Sequence, residues 1–387
     1  DFIDFAAGIA VLTVGHGDEA VIEAVRRQIG ELAHTCIHVA TYEPYVALCE
    51  KLVELFPHGG PPKAMLVNTG AEAVENAIKI ARQATGRSGV ICYTSAFHGR
   101  TLLCASLTSK VDYKRGCGPF MPEIYRLPYP SRLPGERLNE EALATRELAR
   151  LRSALRDTVG PDGVAAIIIE LVQGEGGFNV APKAYIDGLR AICDEHGIVL
   201  IFDEVQSGFG RTGAWAAAEH YGVASDLSTW AKAMGGGLPI AAVTGRASIM
   251  DKVNPGTLGG TYGGNLVAGA AALATIARMN ELNLNRRGAE IGAIIRDRFN
   301  ELRTDIKAIT DVRGLGAMMA IELCEDGDPA RPAPGLVKAV IESCRERGLL
   351  IIGAGVAGNV IRILSPLVIT DEQLNRGLDV LSEELRR

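Results

Sequence analysis

The chain has 387 residues, of which 47% are hydrophobic and 22% charged, and its formal net charge is −6 at pH 7. Such a length can bury a large core and predicts one large and one small domain. The acidic balance gives no electrostatic reason to expect nucleic acid or an anionic membrane as a partner, so a small-molecule ligand is predicted. The longest nearly apolar run, residues 266–277, is shorter than the roughly 18 residues of a membrane span.

The cysteines show no Cys-x-x-Cys spacing and lie mostly among apolar neighbours. This distribution is typical of reduced, packed thiols in a cytoplasmic protein, so neither disulfides nor a metal site is predicted. The eight cysteines are Cys36, Cys49, Cys92, Cys104, Cys117, Cys193, Cys324 and Cys344. The sequence opens on Asp1 inside a strand pattern, so we expect that a leading segment precedes it; any targeting signal in that segment would lie outside this sequence.

Two helices are predicted near the amino end. The first is amphipathic and begins near Asp18. The second opens at Tyr42-Glu-Pro44, where the proline suits the first turn, and it ends within residues 57–62.

A strand at residues 65–67 then leads through Gly70 and Ala71 into a helix with one small apolar face. Glycine at this position lets a ligand approach the free N–H groups of the first helical turn, which favour an anion such as phosphate. An ordinary strand-to-helix turn is the alternative, because Glu72 and Glu75 already place negative charge in the first turn.

The next strand, residues 89–93, leads to a cluster containing Phe97, His98 and Arg100. An aromatic ring, an imidazole and a guanidinium at the carboxyl end of a strand are typical of a ligand site. The bland alternative is that Phe97 belongs to the core and that His98 is a structural histidine.

Two further apolar runs, residues 165–169 and 198–202, lack alternation and predict strands buried on both faces of a parallel sheet. The first ends in Glu170 and is followed by a glycine-rich loop with Glu175; the second ends in Asp203. The strand, helix, strand order predicts a right-handed crossover. Glu175 could instead be part of a solvated turn, but successive strands that end in acids indicate a site.

A short strand at residues 226–230 ends just before Lys232, so an amine and the acid Asp203 are delivered to one edge of the sheet. Residues 241–244 predict a further, antiparallel edge strand, and a long helical region follows from 266 to 302.

The last part of the chain predicts a smaller α+β unit. Arg362 interrupts one of its apolar strands and is either a solvated residue or, in a cleft, a bidentate binder of a carboxylate. Its final helix has Thr370 as N-cap and Gln373 as the capping-box partner. The predicted organisation is α/β, with residues 1–40 as the N-terminal part of the small domain, 41–275 as the large domain and 276–387 as the C-terminal small domain.

Lys232, Asp203, the Gly70 turn, Phe97 and the arginines together match what pyridoxal 5′-phosphate requires: an amine for a Schiff base, an acid for the pyridine nitrogen, an anion site and a stacking ring. A competing pattern, Gly208-Phe-Gly-Arg-Thr-Gly213, has the glycine spacing of a nicotinamide dehydrogenase. In that fold the glycines follow the strand at once, whereas here Asp203 and Glu204 intervene and would repel a pyrophosphate.

In order and spacing, these motifs resemble the class III, fold-type I aminotransferases, and within them most resemble the 4-aminobutyrate aminotransferases. The resemblance covers essentially the whole chain. The motifs are Thr69-Gly-Ala-Glu-Ala-Val-Glu-Asn-Ala77, Phe97-His-Gly-Arg-Thr101, Gln173-Gly-Glu-Gly-Gly177, Asp203-Glu-Val-Gln-Ser-Gly-Phe-Gly-Arg-Thr-Gly213, Lys232, Gly260-Thr-Tyr262 and Asp311-Val-Arg-Gly-Leu-Gly316. The resemblance implies a mostly parallel seven-stranded sheet with helices on both faces, plus a small α+β domain.

For the cofactor, the resemblance implies that Lys232 forms the Schiff base and that Asp203 pairs with the pyridine nitrogen. Phe97 and Val205 would sandwich the ring, with His98 beside it, and Gln206 would reach its phenolic oxygen. Gly70 and Ala71 would bind the phosphate, to which Thr261 of a neighbouring subunit contributes.

For the substrate, the resemblance implies that Arg100 and Arg362 bind carboxylates. Glu175 would pair with Arg362 when a substrate without an α-carboxylate is bound, because an unpaired buried arginine is costly. Ile9 would line the substrate site, and Glu170 would lie next to the site near the cofactor.

The implied reaction is transamination of an ω-amino acid, first of all 4-aminobutyrate to succinate semialdehyde, with 2-oxoglutarate as acceptor, in a homodimer or dimer of dimers with shared active sites. Acetylornithine, ornithine or lysine ω-aminotransferases and an amino-acid epimerase or decarboxylase of the same fold are the alternatives. The donor stays open because Leu171 replaces an expected proline, His38 an expected glutamine, and Gly355-Val-Ala-Gly358 lacks an expected aromatic residue.

Overall fold

The computed structural model describes residues 1–56 and 58–387. Its strands are β1 (Ile3–Asp4), β2 (Pro62–Val67), β3 (Gly89–Tyr93), β4 (Ile124–Leu127), β5 (Val164–Ile169), β6 (Val199–Asp203), β7 (Leu227–Trp230), β8 (Ala241–Arg246), β9 (Ile309–Leu315), β10 (Met318–Leu323), β11 (Leu349–Leu350), β12 (Ile352–Ala354) and β13 (Val360–Ile363). Its α-helices are α1 (Ala7–Ala10), α2 (Glu19–Glu31), α3 (Glu43–Leu55), α4 (Gly70–Thr85), α5 (Leu102–Leu107), α6 (Glu140–Ala154), α7 (Lys183–His196), α8 (Ala247–Met250), α9 (Leu266–Glu281), α10 (Leu284–Asp305), α11 (Pro334–Glu346) and α12 (Asp371–Arg386).

The large sheet has seven strands in the order β2-β8-β7-β6-β5-β3-β4. Neighbours from β7 to β4 are parallel, whereas β8 runs antiparallel to both β7 and β2. The prediction of a mostly parallel seven-stranded sheet is therefore confirmed. The edge position predicted for residues 241–244 is wrong, because β2 pairs with the free side of β8 and makes it an inner strand.

Both faces of the large sheet are covered by helices, as the continuous apolar runs predict. In β6, Ile201 packs with α4 on one face, while Leu200 and Phe202 pack with α7 on the other. The alternation of side chains along a strand buries every apolar residue of β6 in one of two cores. The strand therefore has no solvent-facing side, and its polar last residue, Asp203, is buried as well.

Local sequence signals predict where several helices begin, but not the break between α9 and α10. Asp18 caps α2 by accepting hydrogen bonds from the N–H groups of Ala20 and Val21. The predicted end of the second helix begins at Pro57, which lies outside the described residues; α3 ends at Leu55. The long helical region is two helices rather than one, because Asn283 takes a left-handed conformation (φ 51°) between α9 and α10.

The smaller sheet is antiparallel, with the order β12-β13-β10-β9, and β1 pairs in parallel with β11. Helix α12 has the predicted capping box between Thr370 and Gln373. The domain boundaries after residues 40 and 275 stay predictions. Among the described residues, none of the helices has the length and apolar character needed to cross a membrane.

Candidate active site

The carboxyl ends of the central strands and the start of α4 enclose a cavity of about 380 Å³. Parallel strands expose their carboxyl ends at one edge of the sheet, which is why residues distant in sequence meet there. The predicted site residues that line this cavity are Gly70, Ala71, Phe97, His98, Glu170, Glu175, Asp203, Val205, Gln206 and Lys232.

Asp203, the last residue of β6, is held by three hydrogen bonds. Its Oδ1 accepts from Thr229 Oγ1 at 2.9 Å and from the Val205 N–H at 3.1 Å. His98 Nδ1 lies 2.6 Å from Oδ2. Burial alone would raise the pKa of this carboxyl, but these hydrogen bonds and the nearby imidazole hold it below its ordinary value.

Because Asp203 is ionised, it can only accept, so His98 Nδ1 carries the proton between them. The Oδ1 atom already accepts two hydrogen bonds, whereas Oδ2 accepts one. A carboxylate has about four acceptor positions, and one therefore remains for a donor in the cavity. A protonated pyridine nitrogen is such a donor.

Lys232 begins a short turn immediately after β7 and has φ 47°, a conformation rare for a residue with a side chain. Burial lowers the pKa of its amine below the ordinary value, which Asp203, Glu170 and Glu175 partly oppose. The amine is therefore less firmly protonated than a surface lysine, as a nucleophilic or proton-transferring lysine requires. Backbone strain of this kind is typical of functional sites.

The N–H groups of Gly70 and Ala71 open α4, where the first N–H groups of a helix have no acceptor within it. Glu72 turns its carboxylate back to the N–H of Asn68 at 2.7 Å, and Glu75 accepts from Thr101 Oγ1 at 2.6 Å. Neither acid binds the opening N–H groups. The arrangement favours the anion site over the ordinary turn that the sequence also allowed.

The close packing around position 70 explains why this residue is a glycine. A Cβ at this position would lie 2.9 Å from Val205 Cγ1, which itself lines the cavity. Any side chain at position 70 would therefore force Val205 to move, and Val205 is predicted to contact the cofactor ring.

Glu170 is buried behind Phe97. Its Oε2 accepts from the Phe97 N–H at 3.0 Å and its Oε1 from the Gly174 N–H at 2.9 Å. Burial raises the pKa of this carboxyl to about 7, against the lowering effects of His98 and the two N–H donors. Glu170 therefore links the loop that contains Phe97 and His98 to the loop that contains Glu175, and it positions both loops.

Two buried polar atoms at the cavity have no partner in the described structure: His98 Nε2 and Gln206 Oε1. Groups of this kind are costly to bury unless something binds them. Gln206 also requires Gly174, since a Cβ there would lie 2.7 Å from the Gln206 amide oxygen. Together with the Asp203 acceptor position and the free N–H groups of α4, these atoms fit a polar aromatic group with a phosphate.

Arg362 lies on β13 of the small sheet, yet its guanidinium reaches the loop that follows β5 of the large sheet. Nη1 donates to Glu175 Oε1 at 2.7 Å and to the Gly174 carbonyl at 3.2 Å. Nη2 donates to the Gly353 carbonyl at 3.1 Å. Arg362 is 3% exposed, so the solvated alternative is wrong, and the ion pair satisfies a buried cation.

Glu175 has a second partner, which no local sequence pattern predicts. The Tyr113 hydroxyl donates to Glu175 Oε2 at 2.8 Å. Burial would raise the pKa of Glu175, but Arg362 and the Tyr113 hydrogen bond lower it, so this carboxyl is ionised. The glycine-rich loop is therefore not a solvated turn.

Besides Arg362, three other predicted site residues do not line the cavity. The Arg100 side chain is exposed and lies over the Tyr113 ring, with Cζ 4.6 Å from the ring centroid. Ile9 is 47% exposed and has a positive φ of 65° in α1, and Val11 lines the cavity instead. Thr261 is exposed, as a residue that serves another subunit would be.

Sequence reasoning missed Tyr113, Thr229 and the wall formed by residues 237–240. Thr229 could have been found, since it is a polar residue near the carboxyl end of the buried strand β7, which precedes Lys232. Tyr113 lies in a short turn between α5 and β4, where no periodic pattern points to it.

The aminotransferase class III family model matches residues 1–385 of the chain. The chain is 47% identical over 384 residues to a 5-aminovalerate aminotransferase from Pseudomonas aeruginosa, covering 99% of this chain and 89% of that protein. It is 46% identical over 384 residues to a 4-aminobutyrate aminotransferase from Escherichia coli, with the same coverage. Among solved structures, an amine transaminase from an uncultivated Pseudomonas species matches with a TM-score of 0.94 and 28% identity, covering 100% of this chain and 90% of that one.

Proposed function

The chain belongs to the class III aminotransferases, which use pyridoxal 5′-phosphate, and from that premise we propose that it moves an amino group between an ω-amino acid and 2-oxoglutarate. The preferred donors are 4-aminobutyrate and its homologue with one more methylene, 5-aminovalerate. Relatives with these two named activities are 46% and 47% identical to the chain, so identity does not separate the donors.

The ion pair between Glu175 and Arg362 is the single observation that carries this proposal. An ω-amino acid brings one carboxylate, at the end remote from its amine, and leaves Arg362 without a substrate partner. The 2.7 Å contact from Glu175 neutralises that buried guanidinium in the meantime. Glutamate and 2-oxoglutarate bring a second carboxylate, which can replace Glu175 at the same bidentate binder.

The bound cofactor supplies an electrophilic carbon and a ring that accepts electron density. Asp203 holds the proton on the ring nitrogen, and His98 and Thr229 keep its carboxylate ionised and oriented. Lys232, with a lowered pKa, takes the proton from the substrate carbon and returns it.

The remaining residues bind and orient. Phe97 and Val205 would enclose the cofactor ring, and Gln206 would bind its phenolic oxygen. Gly70 and Ala71 bind the phosphate through the first N–H groups of α4. Arg100 binds the carboxylate that the two kinds of substrate share.

We also propose a homodimer, or a dimer of dimers, with shared active sites. Thr261 is exposed beside Tyr262, which is 63% exposed and whose ring centroid lies 4.9 Å from that of His34 in a tilted arrangement. Thr261 would complete the phosphate site of a neighbouring subunit. The cytoplasmic location stays a prediction, and the free thiols support it.

The test is a panel of amino donors against 2-oxoglutarate and pyruvate. The donors are 4-aminobutyrate, 5-aminovalerate, ornithine, acetylornithine, lysine and alanine. We expect turnover with the first two and with 2-oxoglutarate as acceptor. A preference for ornithine or acetylornithine would replace the proposed donors, and racemisation without an acceptor would replace the reaction.

A further inference from the structure

Tyr113 connects the two carboxylate-binding regions of the proposed site. Its hydroxyl donates to Glu175 Oε2, while the other Glu175 oxygen accepts from Arg362. The ring of Tyr113 lies under the Arg100 guanidinium and packs edge-on against Phe97, with centroids 5.2 Å apart. One side chain therefore contacts the residue that neutralises Arg362 and the residue that binds the shared carboxylate.

We propose that Tyr113 is a positioning residue that holds Glu175 against Arg362 and thereby sets the preference of the site between substrates with one and with two carboxylates. This inference rests on the proposed function, since it assumes that Glu175 yields Arg362 to a second substrate carboxylate. Within the described residues, Tyr113 makes no hydrogen bond to Lys232 or Asp203, so its hydroxyl acts on the site through Glu175.

The geometry explains why a hydroxyl at this position matters. Glu175 is 15% exposed and has one oxygen for Arg362 and one for Tyr113. When Glu175 swings away from Arg362, it gives up the ion pair and also the Tyr113 hydrogen bond. Burial and the neighbouring carboxylate raise the pKa of Tyr113, so the hydroxyl stays a donor throughout the neutral range.

Tyr113→Phe removes the hydroxyl and keeps the ring beneath Arg100. The variant destabilises only the state in which Glu175 is paired with Arg362. Ligands with two carboxylates should therefore gain affinity relative to ligands with one. A hydrogen bond to an ionised group predicts a shift of about tenfold in that ratio.

The experiment measures binding to the holoenzyme by calorimetry, with pentanedioate and pentanoate as probes. These acids have equal chain length, carry two and one carboxylates, and have no amino group, so binding is read without turnover. We expect the ratio of the pentanedioate to the pentanoate dissociation constant to fall about tenfold in Tyr113→Phe. The kcat/KM for glutamate relative to 4-aminobutyrate should rise in the same proportion.

Tyr125→Phe is the matched control. Tyr125 donates to Glu123 Oε2 at 2.8 Å, the same bond length as in the Tyr113 pair, and it does not line the cavity. It should leave the ratio unchanged. Tyr113→Leu removes the ring as well, so it should lower the ratio and also weaken pentanoate binding, because Arg100 loses its stacking surface.

In a Glu175→Gln background, Tyr113→Phe should have a much smaller effect, because the ionised acceptor is gone. An unchanged ratio in Tyr113→Phe, or an equal change in both dissociation constants, would overturn the role of Tyr113. Failure of the proposed function is seen separately, in the donor panel with the wild-type enzyme, as no turnover of 4-aminobutyrate or 5-aminovalerate with 2-oxoglutarate.

Discussion

The cofactor side and the substrate side of the cavity are built differently. On the cofactor side, Asp203 ends β6 and Lys232 follows the adjacent parallel strand β7, and the Asp203 carboxylate is fixed by three hydrogen bonds. On the substrate side, Glu175 and Arg362 come from loops and strands of two different sheets and lie 187 positions apart.

This difference matches what each side has to do. The cofactor side must present one geometry to one group, so its residues lie at the ends of rigid strands. The substrate side must serve two kinds of substrate in turn, so it depends on an ion pair that can exchange one carboxylate for another. Variants of the two sides should therefore fail in different ways.

Lys232→Ala should have the largest effect, a loss of turnover of about a thousandfold or more, because the Schiff-base amine and the proton carrier disappear together. Turnover and the visible absorbance of the bound cofactor are the measurements. Lys183→Ala, which removes an exposed amine paired with Asp187, should leave both unchanged. An active Lys232→Ala enzyme with unaltered absorbance would refute the assignment of the cofactor side.

Arg100→Ala should have an intermediate effect that falls on binding. The KM for 4-aminobutyrate and for 2-oxoglutarate should rise about 10- to 100-fold, the value of a charge-assisted pair, with a smaller change in kcat. Steady-state kinetics with 4-aminobutyrate and 2-oxoglutarate measure these KM and kcat values.

Arg115→Ala is the control for charge, because Arg115 is exposed and pairs with Asp112 in the same segment. It should leave both KM values as they are. If Arg100→Ala changes neither KM, then Arg100 does not bind the shared carboxylate, and its contact with Tyr113 is only structural.

Glu170→Gln should have the smallest effect on turnover and a distinctive effect on stability. The folded-state pKa of Glu170 is raised to about 7, so the folded protein binds more protons than the unfolded chain between the ordinary value of 4.5 and about 7. Stability from this group is therefore full at low pH and is lost as pH rises through that window. Between pH 5.5 and 8, the free energy of unfolding of Glu170→Gln should therefore rise relative to that of wild type by on the order of 1–3 kcal/mol.

Denaturant unfolding of the holoenzyme at several pH values measures this difference. Glu136→Gln is the matched control: hydrogen bonds from Arg146 and from the Leu133 N–H lower the pKa of Glu136, so its carboxylate stays ionised across the window. The control difference should be flat between pH 5.5 and 8. A flat difference for Glu170→Gln as well would mean that Glu170 is ionised throughout.

Much of the cofactor side could be predicted because its signals are local. A continuous apolar run ending in an acid predicted both a buried parallel strand and the place of Asp203, and the Gly70 turn predicted the start of α4. The prediction that failed depends on pairing between residues that are far apart in the chain. The sequence of residues 241–244 predicts a sheet edge because nothing within it shows that this strand pairs with β2, which lies much earlier in the chain.

The sequence by itself determined which chemical groups stand at the ends of the strands, because strand burial, turns and helix caps depend on neighbours within a few positions. Only the tertiary structure decided that Arg362 meets Glu175, that Tyr113 holds the other oxygen of Glu175, and that Ile9 faces outward while Val11 lines the cavity. Those contacts depend on how two sheets and a surface turn pack together, and no local pattern of residues records that packing.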